Sequence, residues 1–212
     1  MTGRICKGIL RALLIISLCF LAAIAAQAAP QRVALPSDST LWYKSLAIAQ
    51  TQVGVREATG RNDGPQVRAY LRSVGLGVGN PYCQAAQYWA FAEASKQLSL
   101  PPQAIPILKT GSTQAAWHNA VRRGRKTELL PLRGDLITWW TKGTSFGHVE
   151  RVVRVMSGGW VQTVAFNTSS GSRGSQRDGG GVYLRYRNWV TPDMRMLVRG
   201  FTGFYNKPWS AK

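Results

Sequence analysis

Acidic residues are scarce in this 212-residue chain: 9 Asp+Glu stand against 27 Lys+Arg, with only 2 His and 3 Cys. Among so few acids no pair stands out for the two-carboxylate chemistry that cleaves polysaccharides. The two histidines, His118 and His148, are 30 residues apart, and with a single cysteine beyond the first 28 residues they show no zinc spacing. No metal and no cofactor is therefore expected. Long apolar runs are missing as well. The run from Ala12 to Ala26 is 15 residues long, short of the ~20 needed to cross a bilayer. No internal repeat and no second domain is visible.

What is present begins with an export signal. Arg4, Lys7 and Arg11 precede the short apolar run, and Ala26-Gln27-Ala28 fits the small-x-small pattern of a cleavage site. Residues 1–28 read as a signal peptide, which predicts a periplasmic or secreted protein with no stable transmembrane anchor. Cleavage would remove Cys6 and Cys19 and leave Cys83 alone in an oxidising compartment, so no intrachain disulfide is expected. A solitary thiol there is a liability, an intermolecular partner or a working group; a small buried hydrophobe is the plainer alternative.

The 184 residues that remain suit one domain with a single core. They carry 24 Lys+Arg and 9 Asp+Glu, a net charge of +15. Such a surface gathers polyanions: wall polymers and anionic lipid in an envelope, nucleic acid elsewhere. The basic cluster Arg122-Arg123-Gly124-Arg125-Lys126 reads as a solvated helix end.

Residues 29–40, with Pro30 and Pro36, read as an extended lead-in, and 41–212 as the domain. Leu41 to Val53 has helical spacing, with Ser39 or Thr40 as cap and Gly54 at its end. Val67, Tyr70, Leu71 and Val74 repeat as a second amphipathic helix closed by Gly75. Gly75, Gly77 and Gly79 fit neither G-x-G-x-x-G nor a P-loop and read as a loop. Asn80 as N-cap and Pro81 at the first helical position would make Cys83 about the third residue of a helix running to Leu98. A cysteine there is biased toward thiolate by the helix macrodipole. Cys83, Ala86, Ala90 and Ala94 fall on one stripe of small residues that another layer can approach. After a Pro-rich connector, Ser112 caps a helix through Val121 with Gly124 beyond it. Five segments then read as strands: Asp135 to Trp140, Val149 to Met156, Trp160 to Phe166, Val182 to Tyr186 and Arg199 to Tyr205. Helices followed by strands predict an α+β fold with an antiparallel sheet.

A thiolate mechanism needs an imidazole. His118 lies in a helical stretch and reads as a surface or packing residue, whereas His148 follows Gly147 at the start of a strand, where it can project from the sheet edge. Two residues compete to orient the second ring nitrogen. Asn167 ends the following strand across the Ser157-Gly158-Gly159 turn, and Glu150, two residues after His148, points to the same strand face.

Taken together, Pro81-Tyr82-Cys83-Gln84-Ala85-Ala86, Gly134-Asp135-Leu136-Ile137, Gly147-His148-Val149 and Val164-Ala165-Phe166-Asn167-Thr168 resemble the ordered motifs of CHAP domains. That family lies within the NlpC/P60-like, papain-like cysteine peptidase/amidase superfamily. Gly54-Val55-Arg56-Glu57 and Asn62-Asp63-Gly64 resemble its leading helix region, so the likeness covers about residues 45–206. The resemblance implies a nucleophile helix packed on the sheet and cleavage of amide bonds in peptidoglycan, as amidase or endopeptidase. It implies Cys83, His148 and Asn167 as the catalytic set, with Glu150 and Gln84 as possible auxiliaries. The partner it implies is peptidoglycan or another anionic wall polymer, met by a monomer with no obligate nucleic acid. The chain departs from the family at Ala165, where a glutamate is usual, at Gln84 and Gln87, and at Glu150, which replaces a common glycine. The competing expectations are a wall- or polyanion-binding module that has lost its chemistry, which Ala165 favours, and an exported nucleic-acid binder, which only the charge favours.

Overall fold

The computed structural model describes residues 30–127, 130–170, 180–192 and 196–206. The expected signal peptide, with Cys6 and Cys19, lies outside the described residues. The chain forms strand β1 (Gln31–Ser37), helices α1 (Ser39–Thr51), α2 (Pro65–Ser73) and α3 (Cys83–Gln97), a 3-10 turn at Pro102–Ala104 and helix α4 (Thr113–Arg123). Strands β2 (Arg125–Thr127), β3 (Leu136–Trp140), β4 (Gly147–Val155), β5 (Trp160–Thr168), β6 (Gly181–Asn188) and β7 (Leu197–Asn206) follow. Mixed helix and sheet is as expected for an α+β chain. Four helices accompany a seven-stranded sheet of order β2-β1-β7-β3-β4-β5-β6.

The sheet is mostly antiparallel, with one parallel pair, β1 with β7. That pair corrects the expectation of an extended lead-in over 29–40: Val33, Ala34 and Leu35 are buried and the segment is an inner strand. Pro36 is tolerated because β2 pairs only with Arg32, Val33 and Ala34, leaving Pro36 on an open side where no ladder donor is needed. The basic cluster also divides. Helix α4 stops at Arg123, and Arg125 and Lys126 turn into β2 instead of continuing a solvated helix end.

Helix starts differ from the sequence reading in two places. Asp38, not Ser39 or Thr40, caps α1, its carboxylate accepting the Leu41 N–H at 3.1 Å. Asn80 does not cap α3, because its side-chain amide donates to Gly77 O within the preceding loop. Helix α3 starts instead at Cys83, its first residue rather than its third, behind Tyr82, whose side chain makes no cap bond. At α4 the expectation holds, with Ser112 Oγ accepting the Ala115 N–H.

Alternation along the strands sends residues to two faces. Leu136 and Val149 pack with Cys83, Phe91, Trp117 and Phe204 under the helices, while Val164, Phe166 and Val182 pack with Tyr70, Tyr82 and Ala86. On the opposite face Ile137, Trp139, Val152, Val161 and Phe201 form a smaller core closed by Trp189, Met196 and Val198. A buried cation fastens the sheet to the helical layer. Arg151, on the helix face, lies 4.7 Å from the Phe91 ring centroid and donates to Trp42 O and Ser45 Oγ of α1.

Arg32 of β1 reaches across β7 to Asp135, ahead of β3, with a fork of bonds at 2.6 and 2.9 Å. A Cβ at Gly203 in β7 would collide with that guanidinium, so glycine there lets the arginine cross. The Gly-Asp element therefore performs a structural task, since Asp135 also accepts the Leu132 N–H. Asp135→Ala leaves Arg32 buried without its counter-charge and should cost about 3–5 kcal/mol. The check is the shift in urea midpoint at unchanged slope.

Candidate active site

Pairing between β4 and β5 begins at Glu150 opposite Ala165, so Gly147, His148 and Val149 run on beside β3 with no β5 partner. The head of α3 meets that free edge, where the Val149 N–H and the His148 ring lie close enough to the Cys83 sulfur to favour its thiolate, while neither ring nitrogen has a hydrogen-bond partner. Thr113, the first residue of α4, brings its Oγ1 to 3.7 Å from Cys83 Sγ. Two helix starts thus converge on the sulfur, each presenting unpaired N–H groups and the positive end of its dipole.

His148 lies on the face of Trp139, its register partner in β3, and Glu150 shares that face two residues on. The ring Nε2 is 3.3 Å from Glu150 Oε1, and Nδ1 is buried with no hydrogen-bond partner. Glu150 is held from the other side. Arg187 donates Nε at 2.9 Å and Nη2 at 2.8 Å to Oε1, and Thr163 Oγ1 donates to Oε2 at 2.6 Å. Cys83, His148, Glu150 and Arg187 are all buried. In its charged form the row reads thiolate, imidazolium, carboxylate, guanidinium, with no net charge.

The titration of each group follows from its neighbours. Burial pushes the Cys83 thiol up, but the bond and charge of His148, with the Thr113 hydroxyl and the Val149 N–H, outweigh it and hold the thiol below its usual range. Burial pushes the imidazole down, and its bonds to Cys83 and Glu150 with their charges carry it up to about 9. Burial likewise raises Glu150, while the charge of Arg187 and the bond and charge of His148 bring it down to about 2.

The sequence reading placed Asn167 on the ring, whereas the group beside Nε2 is Glu150, its rival. Asn167 is buried and left-handed, with φ 55°, and it breaks the β5–β6 register between Phe166 and Thr168. Asparagine is among the few residues that adopt this conformation readily. Its backbone N–H bonds to the Tyr82 hydroxyl, which donates to Glu57 Oε1 at 3.1 Å. Asn167 is thereby tied to the residue that precedes Cys83. Ala165 stands opposite Glu150 in the β4–β5 ladder. Gln84 is buried and lines a small cavity between α4 and the sheet with Trp117, Leu136, Thr138 and Thr202.

Arg187 and Thr163 were missed in the sequence. Alternation alone put Thr163 on the face of Ala165, and nothing in the sequence marked Arg187, which the fold buries opposite Val161. Among the described residues no cluster of His, Cys, Asp and Glu could hold a metal, and no helix is long and apolar enough to cross a membrane. Comparison with family models, curated proteins and solved structures returned no match.

Two outcomes follow from the charged row. Cys83 should react with iodoacetamide at pH 6 at least about tenfold faster than a free thiol of pKa about 8.5, and Glu150→Gln should move the midpoint of that pH profile up by about 1–2 units. Glu150 has a folded value near 2 against an ordinary 4.5. Its contribution to stability is therefore present above pH 4.5 and drains away as pH falls from there toward 2. Denaturant titrations over that window should show the slope in the wild type and a flatter one in Glu150→Gln.

Proposed function

We propose that this protein is an exported cysteine-dependent hydrolase of the CHAP, NlpC/P60-like type that cleaves amide bonds in peptidoglycan. The observation that carries the reading is the buried row of Cys83, His148 and Glu150, with the sulfur at a helix start and the imidazole between thiol and carboxylate. The resemblance of the Cys, Gly-Asp, Gly-His and Asn-Thr elements supplies the substrate class. The net charge of +15 after the signal peptide suits an anionic wall, with attraction that weakens as salt rises.

In this mechanism the Cys83 thiolate attacks the amide carbonyl carbon. A C–S bond forms and the carbonyl π pair moves to oxygen, where the Cys83 N–H at the start of α3 stabilises it. Collapse breaks the C–N bond as the His148 imidazolium gives its proton to the leaving amine. Water, deprotonated by His148, then attacks the thioester, the C–S bond breaks and the thiolate is restored. Glu150 keeps the ring in place and favours its protonated form, and Arg187 and Thr163 keep Glu150 in place. Asn167 supports the turn beside Tyr82. With the carboxylate supplied from β4, Ala165 no longer argues for a module without chemistry.

Digestion of purified peptidoglycan, with mass analysis of the fragments, tests the reading. Wild type should release amide-cleavage products and Cys83→Ala none. Glu150→Ala should lose more than about 10²-fold in rate, and Asn167→Ala less than Glu150→Ala. Activity should fall as pH rises through about 9, where His148 loses the proton it must donate. Equal fragment release by wild type and Cys83→Ala would overturn the proposal.

A further inference from the structure

Beside the sulfur and the ring lies a second set of side chains that this mechanism does not use. Gln114, second in α4, is buried, and its Nε2 has no hydrogen-bond partner. A Cβ on Gly147 would collide with that Nε2, so the glycine before His148 makes room for the carboxamide. Its neighbour Thr113 touches Cys83 Sγ. Nε2 is therefore a donor with nothing to donate to, set between the strand that carries the imidazole and the helix that touches the nucleophile.

The other end of the same amide is occupied. Gln114 Oε1 accepts from Arg199 Nη1. Arg199 is partly exposed, its guanidinium 4.5 Å from the Trp140 ring centroid and its Nη2 3.2 Å from His118 Nε2. Among the described residues no carboxylate lies within ion-pair distance of it. The contrast with the other fixed arginines is one of partner and access: Arg32 and Arg187 each grip a carboxylate and Arg151 is fully buried, whereas Arg199 is partly exposed and held by the Gln114 carboxamide oxygen, the His118 ring and an aromatic face. A guanidinium prepared in this way beside an orphaned amide donor matches a ligand with two anionic oxygens, one for each donor.

We infer that Arg199 and Gln114 form a subsite for a substrate carboxylate next to the scissile amide, so that the preferred bond is flanked by a free acid group. The inference rests on the hydrolase reading for its substrate, and Arg199 acts in it as a specificity residue. Trp140 supports the guanidinium from one side, and His118 holds it from another.

Alkylation of Cys83 in the full mature chain tests this without a known substrate. Iodoacetate and 3-iodopropanoate are each compared with the matching amide at high salt, where the screening length is about 3 Å at 1 M and general attraction to the basic surface is suppressed. In the wild type the better-fitting acid should outpace its amide by about tenfold or more, with saturation and with protection by acetate. Arg199→Gln and Gln114→Met should each lower that acid-to-amide ratio at least about fivefold while leaving the amide rate within about twofold. Arg199→Lys should recover part of the ratio. Arg154→Gln, an exposed change at the far end of β4, should leave the ratio unaltered. An unchanged ratio in Arg199→Gln, with the amide still reacting quickly, overturns the subsite and leaves the hydrolase reading standing. A wild-type Cys83 no faster at pH 6 than a free thiol toward any of the four reagents overturns both.

Discussion

A carboxylate with no exposed surface, gripped by one cation and facing another, governs this molecule. Glu150 costs several kcal/mol to bury as an ion, and the fork from Arg187 with the Thr163 hydroxyl compensates it before the imidazole is considered. His148 can then stay protonated inside the protein, and the proton on His148 lets Cys83 stay charged. Each member of the row needs the one behind it, because a buried charge without a neighbour reverts to its neutral form. Removing Arg187 on β6 changes the ionisation of Cys83 beside β4, two strands away, with no shift in backbone required.

The row also explains why the sheet has its shape. The acidic group and its arginine project from the face away from the helices, while the sulfur arrives from the helical layer. They meet at the free edge of β4, where the β4–β5 ladder stops at the Glu150–Ala165 pair and the left-handed Asn167 follows two residues on. A ladder continued for two more residues would occupy the Val149 N–H that serves the sulfur. The sulfur and the ring come together where regular pairing stops.

Much of this was legible in the sequence, and what was hidden has definite causes. Periodicity of 3.6 and capping residues located the four helices among the described residues, and β-branched and aromatic composition between turns located five of the seven described strands, since such patterning is local information. β1 was missed because its neighbour is β7, almost the whole described chain away, and two prolines disguised it. β2 was missed because three residues of Arg, Lys and Thr carry no apolar signal. Cys83 and His148 stood out by scarcity. The choice between Asn167 and Glu150 depended on register around a Gly-rich turn, which side-chain pattern alone does not set. Gln84 and Gln114 look alike on paper, yet one lines a cavity in the core and the other faces the site.

The parallel pairing of β1 with β7 carries a consequence for biosynthesis. The first strand has only the short β2 beside it until the last strand is made, and the Arg32 fork to Asp135 spans the place that β7 will fill. Joining segments so distant is slow, because a long loop must close before its contacts repay it. A nascent chain would hold its sulfur and ring on an unfinished scaffold until β7 is added between β1 and β3. The order in which the strands are laid down thus decides when the two groups are finally held.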